Sequence, residues 1–113
     1  LRECHRVLKP GGSLVLTVPG VWPLHEAPYD YRRFTEAGLR KLLSTNGYVL
    51  ELVEAQGGLW ACIGQLLALE LTHTAWLRTL VPWTNLAFAA LERRGSRESL
   101  ALNWLVRARK ASP

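Results

Sequence analysis

The chain has 113 residues, and its 49% hydrophobic and 20% charged content excludes a disordered polypeptide and indicates a packed domain or part of one. The formal net charge is +5. Most of the excess lies in residues 57–113, which carry seven basic and three acidic side chains, against seven and six in residues 1–56. The sequence contains no methionine and begins at Leu1, so we expect a piece of a longer protein.

The two cysteines, Cys4 and Cys62, lie far apart in apolar surroundings. Their spacing marks neither a disulfide framework nor a metal site, although a single disulfide between them stays an alternative. We expect two buried free thiols, which fits a cytoplasmic location. No basic and then apolar leader opens the sequence, so we expect no secretory signal in this piece.

The first predicted elements are a helix and a strand. Residues 1–8 place apolar side chains at helical spacing, with charged side chains between them. Pro10 and the glycine pair that follows it end this helix. Residues 13–19 are apolar and rich in β-branched side chains, which predicts a strand buried on both faces, as in a parallel sheet. The predicted buried stripe of the helix is Leu1, Cys4, Val7 and Leu8.

A second helix and a second strand follow residue 35. Thr35 suits the N-cap of the helix, and Glu36 suits its first turn. Asn46 and Gly47 are typical of a helix C-terminus. Residues 48–55 then predict a strand, which the glycines after Gln56 break. The predicted buried stripe of this helix is Leu39, Leu42 and Leu43.

Residues 59–91 predict two apolar helices divided near Pro82, and residues 100–110 predict a last strand. The longest uncharged run that enters this stretch, residues 55–69, is shorter than the roughly 20 residues that span a bilayer. We therefore expect a helical hairpin that packs on the sheet or covers a site. The hairpin contains three tryptophans, Trp60, Trp76 and Trp83. They leave three roles open, which are contact with a membrane surface, binding of an apolar substrate, and filling of the core.

The order of the predicted elements indicates an α/β fold, because strands alternate with helices. The unusual segment is the loop of residues 19–35, PGVWPLHEAPYDYRRFT, between two plain structural elements. It holds a histidine, two acidic residues, two arginines and several aromatic rings. A linker on the surface would not need so many side chains suited to recognition.

Two segments carry a resemblance to a known family: RVLKPGGSLVLTVP and, after it, HEAPYDYRRFTEAGLRKLLSTNGY. Together they resemble the C-terminal half of class I S-adenosylmethionine-dependent methyltransferases of the small-molecule type. The likeness covers residues 1–56 well and 100–110 moderately. In that family the pattern T-x-x-G-L-x-x-L-L-x-x-x-G-[FY] leads to strand six, and the loop before it borders the substrate pocket. The matching positions here are Thr35, Gly38, Leu39, Leu42, Leu43, Gly47 and Tyr48.

The resemblance implies that residues 1–113 are the C-terminal portion of a Rossmann-like seven-stranded sheet, strands five to seven, with residues 59–97 a helical insertion before the last strand. The last strand would insert antiparallel beside strand five. The family's cofactor determinants lie N-terminal to this half, and no G-x-G-x-G turn occurs here. We therefore expect no residue of this chain to bind S-adenosylmethionine and the chain alone to be inactive.

The loop offers candidates for the acceptor side of methyl transfer. His25 could act as general base or hydrogen-bond donor, and bonding to the backbone is the alternative. Asp30 could hold an acceptor hydroxyl or amine, or orient His25. Arg33 could clamp a carboxylate or phosphate, while its i, i+3 spacing from Asp30 equally suits a local ion pair. The predicted apolar walls, which could instead pack over a helix end, are Trp22, Tyr29 and Tyr31.

Two readings from other classes compete with the methyltransferase. One is a non-catalytic remnant whose hairpin binds a protein partner or a membrane surface, which predicts a continuous amphipathic face in residues 59–91. The other is a basic nucleic-acid module around Arg93, Arg94 and Arg97. Because no aromatic residues alternate with these arginines, we expect no nucleic-acid partner. The sequence shows no metal-ligand constellation and leaves the oligomeric state open.

Overall fold

The computed structural model describes residues 1–95 and 100–111, and its mixture of helices and strands confirms the α/β class. Arg97, which belongs to the predicted basic cluster and ends the predicted insertion, lies outside the described residues. The elements are, in chain order, α1 (Arg2–Val7), β1 (Ser13–Pro19), α2 (Glu36–Thr45), β2 (Tyr48–Gln56), α3 (Leu59–Thr72), a 3₁₀ helix (Leu77–Leu80), α4 (Val81–Arg93) and β3 (Asn103–Lys110).

The three described strands form one sheet in the order β1-β3-β2. β3 pairs antiparallel with both neighbours, so β1 and β2 run in the same direction. Val106 of β3 lies opposite Leu16 of β1 and Val53 of β2. An irregularity between Leu50 and Leu52 shifts the register of β2. The chain therefore places its last strand in the middle of the described sheet.

The burial of β1 differs from the prediction. Its side chains alternate between half-buried and exposed, and Val15 is 61% exposed. The prediction of a strand buried on both faces in a parallel sheet is wrong for the described residues, where β1 pairs only antiparallel. The physical reason is that β1 lies at an edge of this sheet and directs alternate side chains to opposite faces. Only one of those faces carries the core.

The core lies between α2 and one face of the sheet. Leu39 and Leu43 of α2 are fully buried there, as predicted, whereas Leu42 is half-buried. The predicted cap is also confirmed, because the amide of Gly38 donates to Thr35 Oγ1 at 3.1 Å. The buried strand residues that meet this helix are Tyr48, Trp104, Val106 and Ala108.

Helix α1 buries little of its predicted apolar stripe, because Leu8 packs half-buried against the core, as predicted, whereas Leu1, Cys4 and Val7 are exposed. The His5 ring lies edge-on to the ring of Tyr48, with centroids 5.2 Å apart. Lys110 Nζ donates to the backbone carbonyls of His5 and Leu8 at 2.7 and 2.8 Å. These carbonyls are at the C-terminal end of the helix, where a cation is favoured. Val7 is consequently 67% exposed.

The two thiols are free, as predicted, but differ in burial. Cys62 is buried in α3, whereas Cys4 is exposed in α1. The expectation of burial is therefore right for Cys62 and wrong for Cys4. Cys4 belongs to the stripe that α1 turns outward. Burial raises the pKa of the Cys62 thiol, with a smaller contribution from the nearby Glu92 carboxylate.

Helices α3 and α4 form the predicted hairpin, but they pack mainly on each other and make few contacts with the sheet. Helix α4 begins at Val81, so the predicted division near Pro82 is confirmed, and the connection between the helices spans residues 73–80 and includes the 3₁₀ helix. Pro82 fits the first turn of α4 because no amide hydrogen is needed there. Glu92 fixes the base of the hairpin by accepting from the amides of Gly58 and Ala61, at 2.6 and 3.1 Å. No helix among the described residues is long and apolar enough to cross a bilayer.

Candidate functional site

The loop of residues 20–35 leaves the end of β1 and is fastened at its neck. The amide of Phe34 donates to the carbonyl of Pro19 at 3.2 Å, so the two ends of the loop meet. Trp104 Nε1 of β3 donates to the carbonyl of Phe34 at 3.0 Å. The amide of Gly20 donates to the carbonyl of Leu102 at 2.9 Å. The loop is thus held against the sheet by backbone groups at both ends.

Gly20 is required at this neck because the chain passes too close for a side chain. A Cβ atom there would lie 2.2 Å from the carbonyl oxygen of Ala101. We expect Gly20→Ala to lower the free energy of unfolding by about 1–3 kcal/mol, measured by urea denaturation. Gly38→Ala is the matched control, since its Cβ meets only Thr35 Oγ1 at 3.2 Å. Equal effects of the two substitutions would contradict this account.

Arg33 braces the loop from within. Its Nε donates to the carbonyl of Trp22 at 3.1 Å, and its terminal nitrogens donate to the carbonyls of Pro23 and Arg32, each at 3.1 Å. The same two nitrogens each donate to one carboxylate oxygen of Asp30. All five N–H groups of the guanidinium are therefore used inside the loop. The local ion pair is confirmed, and an acceptor bound by Arg33 would have to displace one of these bonds.

Asp30 and His25 form the chemically notable pair of the loop. The Asp30 side chain is 6% exposed, and its Oδ2 accepts from the backbone amide of His25 at 3.3 Å. His25 Nδ1 lies 3.2 Å from Asp30 Oδ2 and 3.2 Å from the carbonyl oxygen of Pro23. Because both neighbours are acceptors, Nδ1 carries the proton of the neutral ring. Nε2 then keeps its lone pair, on a side chain that is 47% exposed.

The Arg33 hydrogen bonds hold the pKa of Asp30 at about 2, below its ordinary 3.8, and the His25 amide adds a smaller lowering while burial opposes both. A lowered pKa means that the carboxylate stabilises the loop above pH 3.8 and loses this effect as the pH falls towards 2. We expect the NMR signal of the Asp30 carboxyl carbon to titrate near pH 2. A midpoint near 3.8 would contradict the described brace.

Four of the predicted site residues line one depression, and the other two line a neighbouring one. An open depression of about 610 Å³ is lined by His25, Tyr29, Asp30 and Tyr31, together with Pro19, Glu26 and Arg32. The rings of Tyr29 and Tyr31 meet edge to face, 6.5 Å apart, and are 74% and 76% exposed. They do not pack over a helix end. Trp22 and Arg33 line a smaller depression, which also reaches Asp30.

A second cleft, of about 520 Å³, lies at the end of β1 and was not predicted from the sequence. Trp104 and Phe34 contribute its aromatic lining, and the N-terminal turn of α2 forms one side. The only signal for this cleft in the sequence was a tryptophan within an apolar strand, and such a residue is equally typical of core filling. In the structure Trp104 is buried in the core, and its indole N–H also anchors the loop.

No protein-family model, curated protein or solved structure matches the chain. Within residues 1–95 and 100–111, no group of three or more histidine, cysteine, aspartate or glutamate side chains is placed to hold a metal ion. The residues of the loop and their geometry are therefore the basis for assigning a function.

Proposed function

We propose that the chain is the acceptor side of a class I S-adenosylmethionine-dependent methyltransferase that acts on a small or amphiphilic molecule. The observation that carries the proposal is the contact between His25 and Asp30, in which a nearly buried carboxylate lies 3.2 Å from Nδ1 of an exposed imidazole. Such an arrangement orients the ring and leaves Nε2 available to a bound molecule. It is built into a loop at the end of β1, where the resemblance expects the acceptor pocket.

The sheet supports the same proposal. β3 lies antiparallel beside β1, which is the pairing that the resemblance implies for the last strand of the family. In this assignment β1, β2 and β3 are strands five, six and seven of a Rossmann-like sheet. The α3–α4 hairpin is then the insertion before the last strand.

The residues of the depression have different roles toward the acceptor. His25 Nε2 accepts the proton of an acceptor O–H or N–H group, and the ring becomes an imidazolium that Asp30 stabilises without taking the proton. Tyr29 and Tyr31 present exposed rings as apolar walls and hydroxyl groups as polar contacts. Arg33 keeps Asp30 ionised and in place. The roles predicted for Arg33 as a clamp on the acceptor and for Trp22 as an apolar wall remain predictions.

The chain's own residues do not fit S-adenosylmethionine. The cofactor carries a charged amino acid group and ribose hydroxyls, which need close backbone approach and a free carboxylate. The carboxylate that lines the cleft at the end of β1 belongs to Glu36, and it is paired with Arg40 at 2.7 Å. No G-x-G-x-G turn occurs in the sequence. We therefore assign cofactor binding to residues N-terminal to this chain.

The test is to sequence the coding DNA upstream of the Leu1 codon and to measure cofactor binding by the longer product. We expect an in-frame extension of about 100 residues or more, with a G-x-G-x-G turn and a following acidic residue. Equilibrium dialysis with labelled S-adenosylmethionine should show binding by the longer product and none by the 113-residue chain. A longer product that fails to bind would contradict the proposal.

A further inference from the structure

The outer surface of the hairpin carries an apolar stripe that no described element covers. Trp83 and Leu86 of α4 are 71% and 66% exposed, and Ala87 and Ala90 are exposed beside them. These positions follow one another at i, i+3, i+4 and i+7, so they share one face of the helix. The opposite face, which includes Phe88, packs on α3. The partner-binding reading of the sequence predicts a continuous amphipathic face over residues 59–91, and α4 carries one over residues 83–90.

Basic side chains border this stripe at its C-terminal end. Arg94 lies at i+11 from Trp83 and Arg93 at i+10, and both are exposed. Within the described residues, neither forms an ion pair. The adjacent acid, Glu92, points inward and bonds the amides at the start of α3. Among the described residues, the outer face of α4 therefore combines apolar area with positive charge that no ion pair neutralises.

An exposed tryptophan also precedes the stripe in the sequence. Trp76, in the connection between the helices, is 72% exposed and lies close in sequence to Arg78 and to Trp83. Tryptophan favours the interface between lipid headgroups and acyl chains. The one acidic residue in residues 59–91 is Glu70, so little negative charge opposes an anionic surface.

We propose that the outer face of α4, with Trp76 at one end and Arg93 and Arg94 at the other, binds an anionic lipid surface. The helix lies in the plane of the interface, with its apolar stripe inserted and its arginines at the headgroups. Charge complementarity selects lipid as the occupant, because the stripe is narrow, lies along a single helix and is bordered by cations. The inference stands on the hairpin alone and does not depend on methyl transfer.

The test is co-sedimentation of the chain with vesicles of phosphatidylcholine alone or containing about 30% phosphatidylglycerol. We expect binding to the anionic vesicles, weakened when salt rises from about 0.05 to about 0.5 M. Leu86→Asp should lower the partition coefficient at least about tenfold, because it removes apolar burial and adds a repelled charge. Leu24→Asp is the matched control, since Leu24 is 71% exposed in the loop and should change little.

The arginines have their own matched pair of variants. Arg93→Gln with Arg94→Gln should reduce anionic binding about tenfold or more, whereas Arg2→Gln with Arg32→Gln should not. Circular dichroism checks that each variant keeps its helices. The proposal is overturned by absence of vesicle binding, by equal binding to neutral and anionic vesicles, or by equal losses in the control variants. Self-association that Leu86→Asp abolishes, without vesicle binding, would assign the stripe to a second copy of the chain instead.

Discussion

Under the proposed function, replacing His25 by alanine in the complete protein should lower the turnover number by about 10²–10⁴-fold, the usual contribution of a general base. Stability should change little, because the side chain is 47% exposed and its ring contacts are confined to the loop. The comparison requires steady-state methyl transfer and thermal unfolding on the same preparations. Asp30→Asn should also lower the turnover number, because it removes the carboxylate that orients the ring and stabilises the imidazolium.

His73→Ala is the matched control for the His25 substitution. His73 is also an exposed histidine, but it lies in the connection after α3, away from the depression. It should leave both the turnover number and the unfolding midpoint unchanged. An unchanged turnover number in His25→Ala would remove His25 from the site. A large drop in its unfolding midpoint would instead assign the histidine a structural role.

Trp104→Ala should lower the free energy of unfolding by about 3–5 kcal/mol, the usual cost of truncating a buried aromatic side chain. Trp104 is 6% exposed, packs in the core with Leu39 and Val106, and donates its indole N–H to the carbonyl of Phe34 at 3.0 Å. Its loss creates a cavity and also releases the neck of the loop. Urea denaturation monitored by circular dichroism measures the effect.

The hairpin supplies a matched tryptophan as control. Trp83 is 71% exposed, so Trp83→Ala should change the free energy of unfolding by no more than about 0.5 kcal/mol. Trp104→Phe separates packing from hydrogen bonding, because it keeps an aromatic ring but leaves the Phe34 carbonyl without its donor. We expect it to cost less than Trp104→Ala. Equal costs for Trp104→Ala and Trp83→Ala would show that the described core is wrong.

Local signals in the sequence predicted most elements of the fold. The N-cap at Thr35, the buried leucines of α2 and the left-handed Gly47 at its end depend on neighbouring residues only, and all three are present. The orientation of α1 depends on distant contacts. Its apolar spacing is helical, but the helix is held by the ring of Tyr48 against His5 and by Lys110, which donates to the backbone carbonyl of His5. No local pattern contains that information.

The site was predictable to a similar degree. The spacing of Asp30 and Arg33 indicated their ion pair, because residues three apart lie close when the chain turns. The remaining donors of Arg33 reach the carbonyls of Trp22 and Pro23, ten or more positions away in sequence. That closure depends on the path of the whole loop. It makes Arg33 a brace that positions Asp30, while the predicted role of Arg33 as a clamp for the acceptor stays a prediction.

The most direct test of the central claim is a methyl-transfer assay on the protein encoded by the complete reading frame. The protein is incubated with methyl-labelled S-adenosylmethionine and a panel of small hydroxylated, amino and amphiphilic acceptors, and the label is followed into each acceptor. We expect the wild-type protein to label at least one acceptor, and we expect this labelling to be nearly lost in His25→Ala. Cofactor binding without labelling of any acceptor, or labelling that His25→Ala leaves unchanged, would contradict the claim that this loop is the acceptor site.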